Sequence, residues 1–226
     1  MTPHVAQYSD SYTGAAYIFI EDETGNNAII VSPGAAANIN DDDIIANKEL
    51  IQGSRVFMTQ LEQSLDAADT ALSFAKEGGA ITILNPAPAQ PLGENILKLC
   101  DFVTPNEIEA EQITGIPVKS INDAEIAAGK LLEKGAKAAV ITLGEQGALF
   151  KDNDQVIHQP SYKVGPIVET TGAGDAFNGG LSVALAEQMP IDKALRFACA
   201  TASISVTRQG TAPSMPDRHE IEALLK

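Results

Sequence analysis

The sequence predicts an α/β fold, a mainly parallel sheet with helices on both faces. Three observations carry that expectation. From about residue 55 onward, short β-prone runs alternate with helix-periodic stretches, the pattern of repeated β-then-α units. A chain of 226 residues, 44% hydrophobic and 20% charged, suits one large domain, or a domain with a small appendage, with a sizeable core. Finally, polar residues of chemical interest fall after predicted strands. Glu62 follows the strand beginning at Arg55, Asn106 and Glu109 follow the one beginning at Asp101, and Thr142 with Gly144 ends the one beginning at Ala138. Open α/β sheets bind ligands beyond the carboxyl ends of their strands.

Taken in order, Thr13 to Ile20 and Asn27 to Ser32 are β-prone runs joined by Glu21 to Asn26, a hairpin-like pair. Residues 1–36 are expected to form this leading portion and 37–226 the α/β core. The acid triplet Asp41-Asp42-Asp43 opens an apolar-periodic stretch to Leu50, a helix start with acidic residues in its first turn rather than a metal site. Strands are expected at Arg55 to Thr59, Ala80 to Leu84, Asp101 to Val103 and Ala138 to Thr142. Helices are expected at Ser64 to Lys76, Glu107 to Thr114 and Asn122 to Glu133. Lys151 to Tyr162 reads as a hairpin and Tyr162 to Val168 as a β-prone run. Three helices close the chain: Asp175 to Glu187, Ile191 to Thr207, and one near Asp217 to Leu225.

A net charge of −15 argues against a nucleic-acid or anionic-membrane partner, since both need basic surface. An anionic substrate must then be met by local dipoles and a metal ion. Cys100 and Cys199 lack C-x-x-C spacing, so neither a disulfide framework nor a zinc site is suggested. The chain lacks a basic leader followed by a long apolar segment, and no apolar run approaches the roughly 18 residues of a membrane span. A soluble cytoplasmic protein is the expectation.

The stretch Glu169-Thr170-Thr171-Gly172-Ala173-Gly174-Asp175-Ala176-Phe177 organises the chemistry. It leads into an apolar, glycine-spotted helix, which places Gly172 to Gly174 at a helix start. Amides there lack intrahelical acceptors and the macrodipole adds positive charge, so a phosphate is well placed. Asp175, in the same turn, would compete with an anion unless it acts on the other reactant, as general base toward an attacking hydroxyl. A helix capped by Thr171 or Asp175 after a glycine turn is the plain alternative.

The string E-T-T-G-A-G-D-A-F resembles the C-terminal signature of the ribokinase-like (PfkB) carbohydrate kinases, where D-T-x-G-A-G-D-x-F is usual. The resemblance continues in family order through Thr13-Gly14, Gln60-Leu61-Glu62, Leu84 to Ala89, Thr104 to Glu107, Ile141 to Gly144 and Val206 to Gly210. It implies a ribokinase-like fold in which the leading hairpin belongs to a small β lid over the sugar. It also implies ATP-dependent phosphorylation of D-ribose at its 5-hydroxyl. A related sugar or nucleoside as substrate, or a catalytically silent nucleotide-binding module, are the other readings.

By that resemblance Gly172, Ala173 and Gly174 form the anion cradle and Asp175 is the base, touching the sugar hydroxyl. Asn106 and Glu109 match an N-x-x-E motif that organises Mg²⁺ and phosphate through water, with Asn106, Thr142, Gly144 and Gly147 as nucleotide contacts. A helix cap with an exposed Glu, and a strand end with a glycine turn, are the alternatives there. Glu62 resembles the carboxylate that accepts a sugar hydroxyl, against a solvated Glu at a strand end. Glu169, Thr171, Ser205, Arg208, Gly210 and Ser214 match a K⁺ site, although Glu169 stands where Asp is usual. The family's N-terminal strand and G-G-x-x-x-N segment are not in this chain; by analogy roughly eighty residues would precede Thr13. The sheet is therefore expected to show an exposed edge that favours association, a homodimer among the outcomes.

Overall fold

The computed structural model describes residue 5, residues 7–20 and residues 27–226. Strands β1 (Thr13–Ile20) and β2 (Asn27–Gly34) pair antiparallel as a separate two-stranded sheet. The turn expected at Glu21 to Asn26 lies outside the described residues. Tyr17 opposes Ile30 and Ile18 opposes Ile29. Because side chains alternate across a strand, both faces of this small sheet carry exposed apolar groups: Tyr17, Phe19 and Ile30 on one, Ile18, Ile29 and Val31 on the other.

The single helix expected over Asp41 to Leu50 is instead two short ones, α1 (Asp41–Ala46) and α2 (Lys48–Gln52). Asn47 divides them. Its side-chain amide donates to Asp43 O at 2.8 Å, the local competition that makes asparagine a poor interior residue. Asn40 caps α1 in a reciprocal box with Asp43, so the acid triplet serves the helix start.

Six strands then form the main sheet in sequential order: β3 (Val56–Thr59), β4 (Ile81–Leu84), β5 (Phe102–Val103), β6 (Ala138–Thr142), β7 (Ala148–Lys151) and β8 (Val156–Gln159). The pairs from β3 to β6 are parallel and the last two antiparallel, which makes the sheet mixed. Among the described residues β3 is one edge. The crossovers carry α3 (Leu65–Glu77), the unexpected short α4 (Glu94–Lys98), α5 (Glu107–Thr114) and α6 (Ile121–Glu133). Ser64 and Ser120 cap α3 and α6 by accepting from Ala67 N and Asp123 N. The buried faces of these two helices are rich in alanine (Ala67, Ala68, Ala71, Ala75; Ala124, Ala127, Ala128), which brings each backbone close to the sheet.

Strand alternation divides the core. Ala138, Val140, Ala148 and Phe150 pack against α7 (Ala173–Ala186), α8 (Ile191–Ser205) and α9 (Arg218–Leu224). Ala139, Ile141 and Leu149 face α5 and α6 on the other side. Two expectations shift here. The hairpin runs Ala148–Gln159 rather than Lys151 to Tyr162, and Tyr162 to Val168 forms no strand. Gly165 and Pro166 interrupt that run, and Val168 N bonds to Val206 O at the end of α8, so its backbone is satisfied by a helix terminus instead of a ladder.

Candidate active site

Helix α7 begins at Gly172, whose φ of 80° lies in the left-handed region. A Cβ there would stand 3.4 Å from the Thr211 side chain, an ordinary contact, so it is the left-handed backbone that favours glycine. Ala173 N is committed to Thr170 O and Ala176 N to Gly172 O. The first-turn amides between them, of Gly174 and Asp175, are the ones helix geometry leaves for an anion. A Cβ on Gly174 would meet no heavy atom within 4 Å. Asp175 is exposed beside this opening, and its Oδ1 lies 3.5 Å from the side-chain nitrogen of Gln60, just past β3.

The second group of residues lies past β5 and β6. Asn106 Oδ1 accepts from Glu109 N at 2.8 Å and Glu109 Oε2 accepts from Asn106 N at 2.9 Å, a reciprocal capping box at the start of α5. The motif is therefore a helix cap, but its Glu is not exposed: Glu109 is 8% accessible. Burial foremost, helped by the charge of Glu107, pushes its carboxyl up, while the Asn106 amide opposes the shift. An isolated parallel bridge sets Asn106 beside Thr142, and Thr142 N donates to Pro105 O at 3.0 Å. Gly144 and Gly147 both have positive φ. A Cβ at Gly147 would fall 2.0 Å from Gln159 O, so this glycine holds the β6–β7 turn against β8.

The two groups are joined by a bond that sequence reasoning missed. Thr104 Oγ1 donates to Asn178 Oδ1 at 2.7 Å, and Asn178 Nδ2 donates to Gly174 O at 3.0 Å. Gln60 was missed as well. Gln60 and Thr104 stand inside recognisable strings, but nothing in a string says which member turns inward; a lone Asn on the buried face of an apolar helix was the available signal. Glu62 is exposed past β3, two residues from Gln60.

The sequence that builds this site matches a family profile described as pfkB family carbohydrate kinase over residues 2–218. The chain belongs to the PfkB family. These are sugar kinases. Ribokinase of Haemophilus influenzae is 37% identical over 221 residues, spanning 97% of this chain and 71% of that protein. Deoxyribokinase of Salmonella typhi is 34% identical, over 99% of this chain and 73% of that one. Among solved structures, Arabidopsis thaliana ribokinase complexed with ribose and ATP superposes with a TM-score of 0.86 at 30% identity, covering 96% of this chain and 70% of that chain.

Two cations can be tested against this PfkB site. Among the described residues no group of three acidic, His or Cys side chains is placed to hold a metal ion. A buried carboxylate with one oxygen already bonded suits an ion that keeps its waters and shares them with phosphates, as Mg²⁺ does. At the other place Glu169, Thr171, Ser205 and Ser214 are all buried, and Gly210 N donates to Glu169 Oε2 at 2.7 Å. Arg208 is paired with Glu220, and the Ser214 hydroxyl donates to Thr211 O, which leaves its oxygen lone pairs for a cation. Carbonyl and hydroxyl oxygens and the second Glu169 oxygen are the groups there that suit a monovalent ion. No described helix is long and apolar enough to cross a membrane.

Proposed function

We propose that this chain transfers the γ-phosphoryl group of ATP to the 5-hydroxyl of D-ribose, giving ribose 5-phosphate and ADP. The observation that carries the reading is Asp175, exposed at the mouth of a glycine helix start where a Cβ on the neighbouring Gly174 would meet no heavy atom within 4 Å. Asp175 takes the proton as the sugar oxygen bonds to phosphorus and the bond to the ADP oxygen breaks. In the Gly172 to Gly174 cradle Ala173 N is already bonded to Thr170 O, so the first-turn amides of Gly174 and Asp175, with the helix dipole, stabilise the charge that develops on the phosphoryl oxygens. Asn106, Thr142, Gly144 and Gly147 form the nucleotide shelf and Glu62 accepts a sugar hydroxyl. Glu109 would hold Mg²⁺ through water, and the ion would neutralise phosphate charge when bound. Glu169, Thr171, Ser205, Gly210 and Ser214, with Arg208 outside the shell, would hold K⁺ as activator.

In this reading residues 1–36 contribute the lid, through β1 and β2, and 37–226 the core. Association of two copies, as a homodimer, would cover the apolar faces of that lid. The two cysteines, both free and buried, suit a cytoplasmic setting. A deoxyribokinase among the relatives keeps 2-deoxy-D-ribose as a second substrate reading. Coupled ADP-release assays with Mg²⁺, K⁺ and either sugar decide between them. Sugar-dependent release with ribose preferred supports the proposal; ATP binding without sugar-dependent release refutes it.

A further inference from the structure

A polar chain, buried at Thr104 and Asn178, crosses the carboxyl end of the sheet and ends in the helix that carries Asp175. Asn85 N donates to Thr59 O at the end of β3, and Asn85 Nδ2 donates to Thr104 O at 2.8 Å. Thr104 N is bonded to Leu84 O. Its hydroxyl donates to Asn178 Oδ1, and Asn178 Nδ2 donates to Gly174 O. Thr104 and Asn178 are each 1% accessible. The direction of the chain is fixed by chemistry: a carbonyl oxygen can only accept, so the Asn178 nitrogen must face Gly174 and its oxygen must face the Thr104 hydroxyl.

The position of this chain matters more than its energy. The peptide unit whose carbonyl Asn178 holds is Gly174–Asp175, and the N–H of that same unit is the Asp175 amide at the cradle. Anchoring the carbonyl sets the plane in which the amide points, and a donor on the carbonyl side makes the amide a stronger donor. At the other end Thr104 is followed by Pro105, whose fixed φ transmits its position to Asn106 and the Glu109 cap with little slack. Thr104 and Asn178 thus tie the first turn of α7 to the residues past β5.

We propose that Thr104 and Asn178 are positioning residues for phosphoryl transfer, setting the distance and orientation between the α7 cradle with its base and the Asn106–Glu109 loop. The inference rests on the kinase reading given above. Breaking one partner strands a buried polar group and costs stability whatever its role, whereas replacing both by apolar groups of similar shape is close to neutral for stability. The Thr104→Val, Asn178→Leu double variant therefore separates the two roles.

The experiment measures thermal midpoint, kcat and both KM values for wild type, Thr104→Val, Thr104→Ser and the double variant. The double variant regains most of the stability lost by Thr104→Val yet keeps a kcat at least tenfold below wild type, with KM for sugar and ATP within threefold. Thr104→Ser, which retains the hydroxyl, keeps kcat. Recovery of kcat along with stability in the double variant overturns the proposal, as does a Thr104→Ser variant no better than Thr104→Val. If the wild-type chain releases no ADP, the kinase reading fails by itself and calorimetric binding of ATP, with and without Mg²⁺, takes over. The positioning role then requires that Thr104→Val, and not Thr104→Ser, lose at least fivefold of the affinity that Mg²⁺ adds; equal affinities overturn it.

Discussion

Asp101 gives the most quantitative prediction for the scaffold beneath the site. It stands at the start of β5, with Oδ1 on Lys76 Nζ at 2.6 Å and Lys137 Nζ at 2.7 Å, and Oδ2 on the amide and hydroxyl of Thr82. One carboxylate so joins α3, β4 and the approach to β6. Burial pushes its pKa up, but the hydrogen bonds from Lys137, Lys76 and Thr82 outweigh that and hold it at about 2, against an ordinary 3.8. At about 1.4 kcal/mol per pKa unit, the difference is worth roughly 2.5 kcal/mol. The Asp101 side chain is 17% exposed but Lys137 is 65% exposed, and solvent screening of that pair trims the figure to about 1.5–2 kcal/mol. Asp101→Asn keeps an acceptor for Thr82 but removes the charge and turns an amide NH2 toward the two lysines, so their hydrogen bonds are lost with it. Because the folded pKa is depressed, the stabilisation is fully present above about pH 4 and is lost as pH falls toward 2. Urea denaturation at pH 7 should show the variant less stable by about 1.5–2 kcal/mol, a thermal midpoint lower by roughly 3–8 °C for a chain of this size. The gap should narrow steadily from pH 4 to pH 3. A variant as stable as wild type at pH 7, or a gap that does not change with pH, would refute the electrostatic reasoning.

Three further substitutions probe the site. Gly147→Ala drives a Cβ onto Gln159 O and demands a positive φ, so it should cost about 3 kcal/mol or more and yield little folded protein; a normal midpoint by calorimetry would contradict the packing. Gly172→Ala should lower stability by only about 1–2 kcal/mol, the cost of a left-handed alanine, yet reduce kcat about a hundredfold by tilting the first turn of α7. An active Gly172→Ala enzyme would show that the turn is not the phosphate cradle. Glu109→Gln retains an acceptor for Asn106 N and should keep the α5 cap and the midpoint at neutral pH, while raising the Mg²⁺ concentration needed for half-maximal rate at least tenfold; an unchanged Mg²⁺ titration would reduce Glu109 to a cap.

Much of the fold was legible because its elements announce themselves locally. Ser64 and Ser120 stand before alanine-rich amphipathic runs, and β6 is an apolar run that ends at Thr142, where a glycine-punctuated turn follows. The failures have physical causes. Asn47 splits a helix because its side chain serves the backbone four residues earlier, a contact that periodicity does not register. Tyr162 to Val168 has β-prone side chains, but Gly165 and Pro166 deny it a ladder and the end of α8 supplies an acceptor instead. At the candidate site, the helix start at Gly172 to Gly174 could be read locally, whereas the roles proposed for it and for Asp175 were decided, against a plain helix cap, by the family resemblance. The burial of Glu109 could not be read, since an N-x-x-E motif looks the same whether its Glu faces solvent or sheet. Thr104 and Asn178 meet across 74 residues of chain, a separation that no local pattern encodes.

The central claim is that Asp175 takes the proton from a sugar hydroxyl during phosphoryl transfer, and ADP release by wild type and by Asp175→Asn tests it most directly. With ATP, Mg²⁺, K⁺ and D-ribose, wild type should release ADP in proportion to added ribose. The variant should bind ATP as well as wild type by calorimetry and release ADP at least about a hundredfold more slowly, the order expected when a general base is removed. Sugar-dependent release undiminished in Asp175→Asn would contradict the assignment of the base and the account of the site built around it.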